Sequence, residues 1–92
     1  MSFTLRYHQQ VVRKDIPALP KKEREHIQNA IQEKLTTQPE IFGKPLQHTL
    51  RGYRRLRVGD YRIIFRIEGK EVNIFSINHR SGVYKDFKGR LK

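Results

Sequence analysis

The chain has 92 residues, the size of one small domain near the lower limit of what a single core stabilises unaided, and its lack of cysteine excludes disulfides and thiolate metal sites. Lys and Arg number 20 against 9 Asp and Glu, a net charge of +11 with a pI near 10.5, so a polyanionic partner is expected: nucleic acid first, an acidic protein next, an anionic membrane surface last. No segment approaches the roughly 20 apolar residues that span a bilayer, and the start has no signal-peptide run, so the reading is a soluble cytoplasmic protein with one domain over 1–92.

In chain order, Phe3–Tyr7 (FTLRY) alternates aromatic and β-branched residues and predicts a first strand. From His8 to about Ile16, the positions of Val11, Val12 and Ile16 suggest a short helix ended by Pro17 and Pro20. A second helix is expected from about Pro20 to Thr37, since a proline in the first turn forfeits no needed N–H. Its residues Ile27, Ala30, Ile31 and Leu35 form one apolar stripe, with charged residues such as His26 on the outer face. Pro39 stops that run, and 38–52, with two prolines and two glycines, reads as an ordered loop.

The hydrophobic period then changes to two. Strands are expected over 53–58, 61–67 and 71–79, joined by the turn signals Gly59-Asp60 and Glu68-Gly69-Lys70. The stretch from Arg80 onward is basic and weakly patterned. The sum is an α+β fold of order β-α-α-β-β-β, a helical hairpin packed on one face of a small, antiparallel-dominated sheet.

Strand alternation sorts the charges of RGYRRLRVGDYRIIFR, residues 51–66. Leu56 and Val58 share a face with Arg54, whereas Arg55 and Arg57 share the other with Tyr53. On the next strand Tyr61, Ile63, Phe65 and Ile67 line one face, and Arg62, Ile64 and Arg66 the other. One face can serve the core while its reverse carries a line of guanidinium groups, whose planar forks suit phosphate.

No Gly-rich phosphate loop occurs, and His8, His26, His48 and His79 lack metal-site spacing. No serine stands in a nucleophile elbow, and the carboxylates are scattered. What remains is NHRSGVY (78–84), where His79, Arg80 and Tyr84 follow the last strand. Tyr84 is a candidate general base or proton shuttle near the arginine face. The alternative is that Tyr84 packs on the sheet edge and Arg80 pairs with a carboxylate.

The element order, L-x-G-Y-R-x-L-R-V-G-D-Y-R-I-I-F at 50–65 and H-R-x-x-V-Y at 79–84 resemble the RelE/ParE toxin superfamily of type II toxin–antitoxin systems. The ending is closer to the RelE-type branch, ribosome-dependent mRNA endonucleases, than to the ParE-type branch, which inhibits DNA gyrase. The resemblance implies metal-independent cleavage of mRNA in the ribosomal A site, by 2′-hydroxyl attack on the adjacent phosphate, with no cofactor. That chemistry needs proton transfer at two oxygens and cations around a dianionic transition state.

By motif position the resemblance implies catalytic roles for Arg62, Arg80, Tyr84 and Arg55, and substrate-binding roles for Arg57, Arg54, His79 and His48. The best-known RelE pattern has lysine where this chain has Arg55, and arginine is a poor base, so Arg55 is read as a phosphate clamp. His48, in PLQHTLRG, resembles the loop histidine of another branch, and His79 is a further proton-transfer candidate. The resemblance also implies an acidic, largely disordered antitoxin as partner, beside the ribosome and mRNA, and no membrane. Two other readings stand beside the endoribonuclease: a ParE-like gyrase inhibitor, and a non-catalytic basic nucleic-acid-binding domain.

Overall fold

The computed structural model of the chain describes residues 2–46 and 52–90. Strand β1, Thr4–Tyr7, leads into α1, which begins as a wide, π-type turn over Val11–Asp15 and continues through Ile16–Ala18. Pro17 does not end this helix; it falls where the wide turn gives way to the last one. Pro20, extended at φ −57° and ψ 149°, then caps α2, which spans Lys21–Ala30 and carries on through a second wide turn, Ile31–Leu35. A short α3, Pro39–Phe42, and a two-residue β2, Lys44–Pro45, occupy part of the expected loop. Then come β3, Tyr53–Val58, β4, Tyr61–Glu68, β5, Glu71–His79, and α4, Val83–Arg90.

The five strands form one mixed sheet in the order β1-β5-β4-β3-β2. β1 runs parallel to β5, and the other pairings are antiparallel. Gly59 and Gly69, at φ +59° and +62°, make the two hairpin turns in a region that a Cβ disfavours.

α1 and α2 cover one face. The stripe Ile27, Ala30, Ile31 and Leu35 is buried there with Val11, against Leu56, Val58, Ile63, Phe65, Val72, Ile74 and Ile77. Each such large aliphatic or aromatic side chain contributes about 1.5–3 kcal/mol. Gly43 lies so close to this layer that a Cβ on it would stand 2.2 Å from the Phe65 ring.

The reverse face is not left to arginine alone, which corrects the expectation of helices on one side only. Val83 and Phe87 of α4 bury against Ile64, with Tyr53, Phe75 and Tyr84 around them. Tyr53 meets the Phe87 ring edge-on at 4.8 Å. A register shift at Ile64/Phe65 lets β5 place Phe75 and Ser76 in succession along this side. The end of α4 is fixed by Arg90, whose guanidinium makes two 2.6 Å bonds to the buried Asp15 carboxylate and donates to the Phe75 carbonyl. Asp15 also accepts from the Ile77 N–H at 2.9 Å. Among the described residues no helix is long and apolar enough to cross a membrane.

Candidate functional site

The register of the sheet decides which polar groups meet. Arg57 on β3 stands opposite Arg62 on β4, and Arg62 opposite Asn78 on β5. One step along, Arg55 is opposite Ile64, and Ile64 opposite Ser76. Ile64 packs under α4, so Arg55, Arg57, Arg62 and Asn78 belong to the α4 side of the sheet.

α4 supplies the remaining member. Tyr84 follows Val83, and its ring rests on the Ile64–Val83–Phe87 cluster. There its phenol oxygen accepts a 2.8 Å hydrogen bond from Arg55 Nη1. The bond holds the ring in place and leaves the phenol proton available to another acceptor.

Arg62 is half-buried, and one of its terminal nitrogens donates to the carbonyls of Gly59 and Tyr61, at 3.1 and 3.0 Å. That tether braces the guanidinium against the hairpin turn and leaves its other N–H groups for a ligand. Arg55, Arg57 and Arg62 line a cavity of about 280 Å³ beside β3, together with Lys34, Phe42, Lys44 and Leu56. The ion pairs among the described residues are Arg6–Glu71, Arg66–Glu68 and Arg90–Asp15, so none of the cavity cations is neutralised by a carboxylate there. Arg57 and Arg62 face each other directly, a like-charge pairing that costs about 0.2–1 kcal/mol.

The other expected residues lie elsewhere. The Arg54 guanidinium donates to the Glu40 and Gly43 carbonyls, at 3.3 and 3.0 Å, and anchors α3 to β3 on the helix side. His79 and Arg80 stand at the end of β5 beside the β3–β4 turn, where the Arg80 N–H bonds the Asp60 carbonyl at 2.8 Å. His79 Nδ1 accepts from the Ser81 N–H at 3.2 Å, so the neutral ring carries its proton on Nε2. Its face meets Tyr61 edge-on at 5.8 Å. His48 lies outside the described residues.

Three residues escaped the sequence reading. Asn78, whose amide donates to Ser76 at 3.1 Å, extends the polar row onto β5. The alternation of Ser76 and Asn78 with apolar neighbours was its signal. Lys34 and Lys44 reach the cavity from α2 and β2, and nothing local to either announces it. Among the described residues no three His, Cys, Asp or Glu side chains gather in a metal-ligating group.

Comparison with known proteins agrees with this architecture. The sequence profile of the ParE toxin of type II toxin–antitoxin systems matches residues 5–84. No curated protein matches the chain. The toxin–antitoxin complex RelBE2 of Mycobacterium tuberculosis contains a chain 29% identical, with a TM-score of 0.80, covering 88% of this chain and 94% of that one. A RelE mutant of E. coli in the free state is 16% identical over the whole of both chains, with a TM-score of 0.69. The RelB–RelE complex of Methanococcus jannaschii includes a chain 23% identical, with a TM-score of 0.64 and coverage of 87% and 95%. The last two likenesses speak for the fold alone.

Proposed function

The chain belongs to the ParE toxin family of type II toxin–antitoxin systems, within the RelE/ParE superfamily, and we propose that it is a ribosome-dependent endoribonuclease that cuts mRNA in the A site. The observation that carries this reading is the Arg55–Tyr84 hydrogen bond beside the Arg57–Arg62 pair: a proton-transfer group fixed next to unpaired cations. A simple binding surface has no need to position a phenol in this way.

In this mechanism the 2′-oxygen of one nucleotide attacks the phosphorus that follows, forming a 2′,3′-cyclic phosphate as the bond to the 5′-oxygen breaks. The 2′-hydroxyl proton is released to water. Tyr84 gives its proton to the departing 5′-oxygen, and Arg55, 2.8 Å away, compensates the negative charge left on the phenol oxygen. Arg57 and Arg62 face the non-bridging oxygens, where charge develops. The turn-braced Arg62 needs no reorganisation at that moment. Arg80, at the same end of the sheet as Arg62, serves the flanking backbone.

One solved relative, RelBE2, is a toxin–antitoxin complex, which supports an antitoxin partner for this chain as well. Its charge of +11 favours an acidic one, associating fast and in a salt-sensitive way. A second reading, inhibition of DNA gyrase, is favoured by the ParE family match. Incubation with a translating extract and, separately, with purified gyrase divides the two. Cut mRNA carrying 5′-hydroxyl ends supports the endoribonuclease; intact mRNA with blocked supercoiling supports the gyrase inhibitor.

A further inference from the structure

The cavity beside β3 runs from Arg62 and Arg57 past Arg55 to Lys44 on the edge strand β2. Lys44 on β2 stands opposite Arg55, and Lys34 enters from the last turn of α2, so cations come from two elements that the family motifs do not include. Five of them, Lys34, Lys44, Arg55, Arg57 and Arg62, line one cavity of about 280 Å³ whose wall, among the described residues, contains no carboxylate. Such a concentration of like charge is unfavourable unless an anion occupies it.

Phe42 is the other unusual member. This aromatic side chain lies at the cavity with 40% of its surface exposed, and Lys34 Nζ sits 5.6 Å from the ring centroid. An exposed aromatic ring flanked by cations is the arrangement that binds single-stranded nucleic acid, the ring stacking on a base while the cations follow the backbone. An acidic peptide would use the cations and leave the ring without a flat partner.

We propose that this end of the cavity is a second RNA subsite: Lys34 and Lys44 hold the backbone phosphate next to the one that Arg57 and Arg62 engage, and Phe42 stacks on the adjoining base. The proposal rests on the reading of the chain as an mRNA-cleaving toxin and adds the residues that fix the strand on one side of the cut.

The test is equilibrium binding of a short 2′-O-methyl RNA, which lacks the attacking hydroxyl, to the full chain over a series of NaCl concentrations. The Lys34→Gln/Lys44→Gln double variant is expected to lower the slope of log K against log salt by about 0.7, the value for one phosphate of a single strand. Phe42→Leu is expected to weaken binding about tenfold with little change of slope. With the wild-type protein, a neutral methylphosphonate at the neighbouring linkage reproduces the loss of slope, an arm that does not depend on how the variants fold. Unchanged slope in both arms overturns the subsite, as does a double variant that loses affinity for poly-glutamate but not for RNA. Lysine-dependent RNA binding without mRNA cleavage in a translating extract would retain the subsite and remove the cleavage reading. Cleavage with unaltered binding by the double variant would do the reverse.

Discussion

Asp15 and Arg90, 75 residues apart, meet through two parallel 2.6 Å hydrogen bonds almost sealed from solvent. The pair joins α1 to the end of α4, and through the Phe75 carbonyl and the Ile77 N–H it also grips β5 beside its register shift. Tyr84 rides on the helix so secured. Removing one partner of a buried ion pair leaves the other charge stranded, at a cost of about 3–5 kcal/mol. Arg90→Ala is therefore expected to lose stability on that scale in urea unfolding; a loss under about 1 kcal/mol would mean that the pair does not anchor α4.

The Arg57–Arg62 opposition predicts an exchange of stability for function. Arg57→Gln relieves a like-charge cross-strand pair and should stabilise the fold by about 0.2–1 kcal/mol while lowering the rate of RNA cleavage. Thermal melts and cleavage rates measured on the same preparation check both halves. A variant that is less stable than wild type contradicts the electrostatic argument.

Gly43 predicts a steric penalty rather than a conformational one. Its φ of −96° is open to any residue, but a Cβ would stand 2.2 Å from a Phe65 ring that is fully buried. Gly43→Ala must displace that ring and is expected to cost about 1–3 kcal/mol in chemical unfolding. Gly59→Ala provides a contrast, since nothing lies near its Cβ and only its positive φ resists the change.

Alkaline pH should act through Tyr7. Burial pushes its phenol above the ordinary value of 10.0, so folding favours the neutral form. The associated stability is present below pH 10 and lost as pH rises through the higher folded value. Urea midpoints measured from neutral pH to about pH 11 should fall more steeply for wild type than for Tyr7→Phe. Parallel curves would remove Tyr7 from the account.

Much of this was legible in the sequence, for reasons tied to particular residues. The α2 stripe follows from one-sided burial, and the hairpins follow from Gly59 and Gly69, so local pattern sufficed for both. Ile64 was the overlooked clue: an aliphatic residue on the arginine side must be covered, and α4 covers it. Val83, Phe87 and Arg90 do have helical spacing, but Arg90 gains its meaning only from an aspartate at the far end of the chain. Arg54 and Arg55 are chemically identical neighbours, and alternation alone sends one to the α3 carbonyls and the other to Tyr84. Lys34 and Lys44 join the cavity through tertiary folding, which no local motif encodes.

The central claim is that Tyr84, held by Arg55, moves a proton during RNA cleavage. Primer extension on mRNA from a translating extract, comparing wild type with Tyr84→Phe, tests it most directly. The phenylalanine keeps the ring contacts on Ile64 and Phe87 and removes only the hydroxyl. The account predicts cuts inside codons with wild type, and a rate about 10²–10⁴-fold lower with Tyr84→Phe at unchanged thermal stability. Equal cleavage by both proteins, or intact mRNA with the wild type, would contradict it.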